Sequence, residues 1–502
     1  MICVSLGRTR HKMMVAEHKA LADRGAELVE LRLDWLSRPP DLGRMLAERP
    51  TPVIVTCRRA RDKGLWRWSE EQRLMVLRSA IVSEAEYVDL EEDVAGSIPR
   101  LGSTKRIVSF HDFDQTPEDL AEIHGRMTKL DPDIIKIVTM ANSPLDNVRM
   151  LRLVAGAKVP TIGFCMGEFG IPSRILTGRF GAPFSYATFS KERAMAPGQL
   201  SLEEMRDVYH YDRINALTDL YGVVADPVAH SLSPLIHNAA FAHERLNKVY
   251  LPFRVPKDTL SETVESFSTW PVQGYSVTLP HKEDVLRLTD RYEGPIRDIG
   301  AANTLYRAAD GLWHAANTDY DAALESLVGE LQPEGVDGSD ATLSALAGKK
   351  VLILGAGGVA RAVGRGVVNH GGVLMIANRT KARAAELAEQ LGCLLVEWQN
   401  RGSVFADVLV NCTSVGMHPN LDETPFAENW LREGMLVFDT IYNPERTLLI
   451  KQARERECKT INGVDMFVRQ AARQFELFTG RRAPIELMRD VLRRAISAVR
   501  LD

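Results

Sequence analysis

Short apolar runs recur along the first part of the chain, each separated from the next by a segment that reads as helical. The runs are Ile2–Leu6, Leu28–Leu33, Val53–Thr56, Tyr87–Leu90, Arg106–Phe110, Ile134–Thr139, Thr161–Phe164 and Ser185–Thr188. Continuous apolar runs of this length are the pattern of strands buried on both faces of a parallel sheet. Eight such strands, each followed by a helix or a crossover, predict a (β/α)8 barrel, with an open doubly wound sheet as the alternative. Helix starts are marked as well. Thr116-Pro117-Glu118 and Ser143-Pro144 set a capping residue ahead of a proline at the first helical position. Ser201 with Glu204 forms a capping box that predicts a helix leading out of the barrel.

From Leu220 the pattern changes to an open α/β arrangement. Strands are expected at Leu220–Ala225, Val249–Val255, Gly274–Leu279 and Leu312–Ala316, with a helix over Ser233–Leu246. The residues between Glu325 and Gly348 are polar and glycine-containing, and read as a connection between lobes. Further strands are expected at Val351–Leu354, Val373–Ala377, Asp407–Asn411 and Met435–Asp439, then a helix over Asn462–Gly480.

Composition narrows the class. A chain of 502 residues exceeds what one core supports, so two or three domains are expected. A net charge of -4 gives no reason to expect a nucleic-acid partner. No run of about 18 apolar residues occurs, so no membrane association is expected. The six cysteines are widely spaced with no CxxC pair, so neither a metal nor a disulfide framework is expected. Free thiols suit a reducing compartment. The start MICVSLGRTR enters a strand at once and has no signal-peptide pattern. A cytoplasmic protein is the expectation, with oligomeric state left open.

In a (β/α)8 barrel, polar residues at the C-terminal ends of strands face the active site. That rule selects Glu30, Arg32, Arg58, Glu91, His111, Lys136 and Met166. Lys136 is unusual because it lies inside the apolar run Asp133-Ile134-Ile135-Lys136-Ile137-Val138. One reading is an inward lysine paired with a carboxylate. The other is an amine prepared by burial for imine formation with a ketone, with His111 on the preceding strand as acid and base.

Glu30-Leu31-Arg32-Leu33-Asp34, Ser109-Phe110-His111-Asp112-Phe113, Lys136, Ser173-Arg174 and Ala196-Pro197-Gly198-Gln199 together resemble type I 3-dehydroquinate dehydratase, over roughly the first two hundred residues. The resemblance implies that Lys136 forms an imine with 3-dehydroquinate and that His111 removes a proton and assists loss of water. It implies that Arg174 and Gln199 hold the substrate carboxylate, with Ser5, Glu30, Arg32 and Arg58 along the polyol face. Two departures stand out. Asp62-Lys63-Gly64 replaces the usual Glu-Gly-Gly near the histidine, and Met195 replaces a serine in the lid. One lost neutral hydrogen bond is worth about 0.5–1.5 kcal/mol, so slower or weaker turnover is expected rather than an inactive site.

The second half carries its own chemistry. Ser231 and Ser233 precede a helix, where they serve as caps or as a carboxylate site. Lys282 and Asp319 follow two different strands and could form a proton-transfer couple. Val351-Leu352-Ile353-Leu354-Gly355-Ala356-Gly357-Gly358-Val359-Ala360 has the GxGxxA form between a strand and a helix, a dinucleotide-binding signal. The next strand ends in Asn378-Arg379-Thr380, where an arginine suits a 2′-phosphate. These stretches, with Val277-Thr278, Gly300-Ala301-Ala302-Asn303-Thr304 and the helix bearing Gln470 and Gln474, resemble shikimate dehydrogenase. By that resemblance Ser231, Ser233 and Tyr442 hold the carboxylate, Thr278, Asn303, Asp319 and Gln470 contact the ring hydroxyls, and Gln474 is counted among the substrate-binding residues. Lys282 and Asp319 are the catalytic pair. Gly355, Ala356, Gly357, Gly358, Val359, Ala360, Asn378, Arg379, Thr380, Thr413 and Gly463 bind NADP. Ser276 stands where the family commonly has asparagine.

The expected architecture is therefore α/β, with an N-terminal (β/α)8 barrel and a two-lobed dehydrogenase bearing a Rossmann lobe. The expected boundaries are a dehydratase over 1–212, a shikimate-binding lobe over 218–325, an NADP lobe over 345–462 and C-terminal helices over 463–502. The expected function is bifunctional: dehydration of 3-dehydroquinate, then NADPH-dependent reduction to shikimate. The alternatives are a quinate-using dehydrogenase beside an impaired dehydratase, or a non-catalytic sensor. Lys136, His111, Lys282 and Asp319 argue against the sensor.

Overall fold

The computed structural model describes residues 1–332 and 345–497. The eight apolar runs of the first half are eight strands: β1 (Ile2–Leu6), β2 (Leu28–Arg32), β3 (Val53–Thr56), β4 (Tyr87–Glu91), β5 (Lys105–Asp112), β6 (Ile134–Met140), β7 (Thr161–Met166) and β8 (Ser185–Thr188). They pair in the order β7-β6-β5-β4-β3-β2-β1-β8. Strand β1 runs parallel to both β2 and β8, so first and last strands are neighbours and the sheet is a barrel, not the open alternative. Every residue of β1, β3, β7 and β8 is buried, which explains why these segments read as unbroken apolar runs.

The predicted helix starts had different outcomes. Ser201 and Glu204 do exchange side-chain-to-backbone bonds, at 2.8 and 3.1 Å. They open a short helical segment over residues 202–208, most of it, Glu204–Val208, wound in the wider π form, where a helix between the halves is expected. Ser143 accepts from the Leu145 N–H as the helix Leu145–Gly156 begins. Thr116 caps nothing: the next helix starts at Leu120, and the Thr116 hydroxyl bonds Thr139 and the Met140 carbonyl. A buried hydroxyl needs a partner, and β6 supplies it.

By compactness the chain divides into two units. Met1–Gly222, Asp226–Pro234 and Arg245–Val272 form one, and Val223–Ala225, Leu235–Glu244 and Gln273 onward form the other. Within the first, the helix Gly167–Leu176 packs on the strand Lys248–Arg254. Phe180 lies 6.0 Å from Trp270, which stacks on Phe267 at 4.7 Å.

Within the second unit, Gly274–Ser276 pairs antiparallel with Thr304–Arg307, which pairs in turn with Trp313–Ala316. The helix expected to give way to a connection after Glu325 continues to Leu331. Part of that connection, 333–344, and the last residues of the expected C-terminal segment, 498–502, lie outside the described residues. Beyond it lies a six-stranded parallel sheet. Lys350–Leu354 is flanked by Val373–Ala377 on one side and Val408–Asn411 on the other. Leu394–Leu395 extends the first side, and Leu436–Asp439 and Lys459–Ile461 extend the second. Numbered from Lys350–Leu354, the order is three-two-one-four-five-six, the doubly wound order with its switch point beside the first strand. Ile353, Val363, Ile376, Val410 and Phe438 fill its core.

The helix Gly463–Thr479 starts hard against the loop after Leu436–Asp439. A Cβ on Gly463 would lie 2.3 Å from the Ile441 carbonyl group. Gly463→Ala is therefore expected to destabilise by about 1–3 kcal/mol, read as a lower calorimetric unfolding temperature. Gly329→Ala, in an open helical site with nothing within 4 Å, is expected to stabilise by roughly 0.5–1 kcal/mol.

Candidate active sites

One mouth of the barrel gathers the residues selected from the first half. Ser5, Glu30, Arg32, Arg58, His111, Lys136, Arg174 and Gln199 line a single cavity, together with Asp62, Tyr186 and Met195. Strand register explains the grouping. Ser5 pairs with Glu30, and Ser109 with Lys136, so inward positions fall into shared rows. His111 lies two residues beyond Ser109 on β5, one inward step nearer the mouth than Lys136.

Lys136 is 5% exposed. Its Nζ lies 3.1 Å from Asp89 Oδ2 and 3.6 Å from Glu30 Oε1, and 4.1 Å from the Tyr186 ring centroid. Glu30 also accepts from Ser5 at 2.6 Å and Thr56 at 2.8 Å. Burial alone would raise the Glu30 and Asp89 carboxyls. The charges on Lys136 and Arg32 pull Glu30 down, and those on Arg58 and Lys136 pull Asp89 well below the usual carboxylate range. His111 is shifted the opposite way to a paired histidine. Burial, then the cations of Arg58 and Lys136, hold its pKa well down, so the imidazole is a neutral base.

The arginines divide into two kinds. Arg32 makes a two-pronged bond to Asp34 at 3.0 and 2.9 Å. Arg58 is clamped by Asp89 at 2.7 Å and Glu91 at 3.1 Å. Arg174 is 2% exposed and makes no ion pair among the described residues. Its guanidinium lies 4.3 Å from the Phe164 ring centroid and its Nε has no hydrogen-bond partner. Burial pulls it down to about 10. A buried guanidinium without a carboxylate is a binding position for an anion.

Both departures in the barrel are visible. Asp62 pairs with Arg59, which also reaches Asp93. Met195 sits over the site, and its backbone N–H donates to Gln199 Oε1 at 2.8 Å, closing the lid loop on itself. The sequence reading took Glu91 from β4 and missed Asp89, two residues earlier on the same inward face. The signal was there: Asp89 is a carboxylate inside an apolar strand, as Lys136 is an amine inside one. Tyr186 carried no such signal, because an aromatic in a buried strand reads as core.

In the second unit, Lys282 Nζ lies 2.6 Å from Asp319 Oδ2, in the first turn of the helix Thr318–Leu331. The preceding Asn317 caps that helix through the Tyr320 N–H and donates to the Ala301 carbonyl. Asn303 donates to the Thr318 hydroxyl at 2.9 Å and accepts from its N–H at 2.8 Å. Thr278 is held through its backbone, which donates to the Val224 carbonyl and accepts from the His281 N–H. Gln474 is 2% exposed and bonds Ser276 Oγ, the Asn303 carbonyl and Thr304 Oγ1. Ser276 thus makes a hydrogen bond that fixes the helix Gly463–Thr479 to the sheet. Gln470, one turn earlier, donates to the Phe467 carbonyl of its own helix. Tyr442 lies 4.2 Å from the Phe467 ring. In the first unit, Ser231 accepts from the Ser233 N–H at 3.4 Å.

The glycine loop has the form a dinucleotide needs. Gly355 has φ +114°, and a Cβ there would lie 2.8 Å from the Cys412 carbonyl oxygen, so only glycine is accommodated. A Cβ on Gly357 meets nothing within 4 Å, which leaves open space for a ligand to approach the backbone. A Cβ on Gly358 would press 3.0 Å from Lys282 Cδ, so the lysine stem crosses the start of the helix Gly358–Asn369. Ala356 and Val359 are partly buried and Ala360 fully so, packed into the core. Asn378 donates to the Thr380 carbonyl, holding the turn at the end of the next strand. Arg379 is exposed and makes no ion pair among the described residues. Thr413 bonds Asn411 Oδ1 through its N–H and hydroxyl. These features fit a phosphorylated dinucleotide. No group of acidic, histidine or cysteine side chains suited to a metal occurs among the described residues.

Fold and sites together define a lyase-type barrel with a buried amine, followed in the same chain by a nucleotide-binding dehydrogenase. Residues 2–216 match the family described as Type I 3-dehydroquinase. Residues 223–305 match the shikimate dehydrogenase substrate binding domain, and 339–439 match Shikimate / quinate 5-dehydrogenase. Residues 463–493 match the shikimate 5'-dehydrogenase C-terminal domain. The chain is 38% identical to the chloroplastic bifunctional 3-dehydroquinate dehydratase/shikimate dehydrogenase of Arabidopsis thaliana, over 97% of this chain and 83% of that protein. It is 40% identical to a shikimate dehydrogenase (NADP(+)) of Moorella thermoacetica, over 57% of this chain and 96% of that one. A crystal structure of shikimate dehydrogenase in complex with NADP+ aligns at 34% identity and TM-score 0.51, over 57% of this chain and 98% of its own. The chain belongs to the bifunctional 3-dehydroquinate dehydratase/shikimate dehydrogenase family. It is a lyase and an oxidoreductase of the shikimate pathway.

Asp439 ties two loops of the dehydrogenase together. Its carboxylate accepts from Asn411 Nδ2, the Ile441 N–H and Thr447 Oγ1, at 3.0, 3.1 and 2.6 Å. Burial pushes its pKa up to about 6. An unfolded aspartate titrates near ~3.9, so between the two values the native state retains a proton that the unfolded chain has lost. This carboxyl's contribution to stability is therefore complete below about pH 4 and falls away as pH rises through about 6. Denaturation midpoints measured from pH 4 to 7 are expected to lose that component of their slope in Asp439→Asn.

Proposed function

We propose that the barrel dehydrates 3-dehydroquinate through an imine on Lys136, and that the dehydrogenase reduces the product, 3-dehydroshikimate, to shikimate with NADPH. The observation that carries the first step is the buried amine of Lys136 between Asp89 and Glu30, in one cavity with the guanidinium of Arg174, which makes no ion pair among the described residues. Lys136 attacks the ring ketone after giving up a proton, and loss of water leaves a cationic C=N bond. That cation replaces the ammonium charge nearly in place, so the carboxylates that held the lysine also stabilise the iminium. The iminium acidifies the adjacent C–H. His111, kept neutral by burial and its cationic neighbours, accepts that proton and returns it to the departing hydroxyl. Arg174 and the free amide nitrogen of Gln199 take the carboxylate, and Ser5, Glu30, Arg32 and Arg58 shape the polyol side. Arg32 and Arg58 are already neutralised by their own carboxylates, so they order the cavity more than they attract the anion.

In the dehydrogenase, Lys282 gives the carbonyl oxygen its proton, and Asp319 at 2.6 Å orients the amine. Ser231, Ser233 and Tyr442 hold the carboxylate, and Thr278, Asn303, Asp319 and Gln470 meet the ring hydroxyls. Gln474 acts from behind, through its bonds to Ser276 and the Asn303 carbonyl. NADPH, when bound, supplies the hydride. The loop Gly355–Ala360 with Asn378, Arg379, Thr380, Thr413 and Gly463 would hold it, with Arg379 at the 2′-phosphate. NADP(+) dependence in the names of the relatives supports this assignment. The paired serines favour shikimate over quinate. Domain boundaries at 1–212, 218–325, 345–462 and 463–502 follow from this division of labour. The six free cysteines fit a reducing compartment such as the cytoplasm. No helix among the described residues is long and apolar enough to cross a membrane.

A one-pot assay tests the reading. Wild-type protein given 3-dehydroquinate and NADPH is expected to yield shikimate. Lys136→Ala is expected to yield none from 3-dehydroquinate while still reducing added 3-dehydroshikimate. NADPH consumption by Lys136→Ala from 3-dehydroquinate alone would contradict it. Arg379→Ala is expected to raise KM for NADPH about ten- to hundredfold and to leave KM for NADH nearly unchanged.

A further inference from the structure

The stretch between the end of the strand Asp219–Ala225 and the helix Ser233–His243 lies outside any strand, yet two of its consecutive amides are held by a side chain. Val228 N–H and Ala229 N–H both donate to Glu168 Oε1, at 3.3 and 3.0 Å. Glu168 is on the barrel, in the first turn of the helix Gly167–Leu176. Its other oxygen, Oε2, accepts from Arg254 Nη1 at 3.1 Å. Arg254 Nε donates to Asp226 Oδ1 at 2.9 Å, and its guanidinium lies 4.7 Å from the Phe169 ring centroid. Two linked side chains, Arg254 and Glu168, therefore hold the start of the stretch at Asp226 and its middle at Val228 and Ala229. The turn closes when the Ser231 N–H bonds the Val228 carbonyl at 3.0 Å, and Ser231 Oγ then accepts from the Ser233 N–H. All of these residues belong to one compact unit.

An exposed ion pair would mean little here. Glu168 differs in that one carboxylate oxygen receives two consecutive backbone N–H groups, which fixes a turn rather than merely pairing a charge. On the other side of the same helix start, the Gly167 N–H donates to the Pro197 carbonyl at 3.1 Å. The helix start is thus anchored by the barrel's own lid loop, so Glu168 is presented from a fixed base.

We propose that Glu168, a side chain of the dehydratase barrel, is a positioning residue for the dehydrogenase. It sets the Val228–Ser231 turn through the backbone amides of Val228 and Ala229, and Arg254 keeps it in place. The proposal rests on the reading that Ser231 and Ser233 receive the substrate carboxylate. It implies that the fused barrel contributes to shikimate binding without touching shikimate.

The test is steady-state dehydrogenase kinetics in the full chain. Glu168→Ala is expected to raise KM for shikimate about tenfold, with kcat and KM for NADP within about twofold of wild type. Glu168→Asp, which keeps the carboxylate, is expected to recover part of the loss. Arg254→Met approaches the same turn from the other side, so it answers the question should Glu168→Ala fold poorly. It should also raise KM for shikimate, and the double variant should be no worse than Glu168→Ala alone. An unchanged KM for shikimate in a folded Glu168→Ala protein overturns the proposal, as does an equal loss in KM for NADP and in kcat. Ser231→Ala separates the two levels. If it leaves KM for shikimate unchanged, the carboxylate reading fails and the proposal falls with it. If it raises KM while Glu168→Ala and Arg254→Met do not, the proposal alone fails.

Discussion

Cations buried at the mouth of the barrel must each find negative charge, and the way carboxylates are shared among them organises the dehydratase half. Asp89 serves both Lys136 and Arg58, Glu91 serves Arg58, Glu30 serves Lys136, and Asp34 serves Arg32. Removing one member of a buried pair typically costs about 3–5 kcal/mol, because its partner is left uncompensated. That penalty pins the inward rows of β2 to β6 in register. Among the described residues of that mouth, Arg174 is the buried cation without a carboxylate, and this supports the proposal that it receives the substrate's own carboxylate.

The dehydrogenase half repeats the logic with fewer charges. Lys282 is matched by Asp319, whereas Arg379 at the end of its strand is matched by no ion pair among the described residues. The difference fits the proposed roles, proton transfer for Lys282 and 2′-phosphate binding for Arg379. Packing then links chemistry to nucleotide binding. The stem of Lys282 crosses Gly358, so the amine and the glycine loop are mutually placed. Asp439 and Asn411 carry the fixing further, from the Thr413 loop to the loop bearing Tyr442.

Most of the barrel was legible because burial on both faces writes itself as continuous apolar runs, and strand ends were located to within about two residues. Lys136, His111 and the Gly355 loop were legible because a polar group or glycine in an apolar context is costly without a purpose. Asp89 shared that signal, but Glu91 stood nearer the strand end and was chosen in its place. The roles of Gln474 and Ser276 were not legible: their bond spans 198 positions in sequence, and no local pattern encodes a contact of that reach. The capping patterns were half right. Ser201 and Glu204 form the reciprocal bonds and a short helical segment follows them, mostly in the wider π form. Thr116 had a better partner inside the barrel than at a helix end. Glu168 reads locally as an ordinary acidic residue in a first helical turn, and only the folded chain brings it to Val228 and Ala229.

The central claim is that Lys136 is a nucleophile held in readiness by Asp89 and Glu30, and not merely the cation of a structural ion pair. Borohydride trapping addresses it directly. The protein is incubated with 3-dehydroquinate, reduced with borohydride, digested and mapped by mass spectrometry. A covalent adduct on Lys136 and on no other lysine is the predicted result. Absence of an adduct at Lys136, in protein that still converts 3-dehydroquinate, would contradict the account.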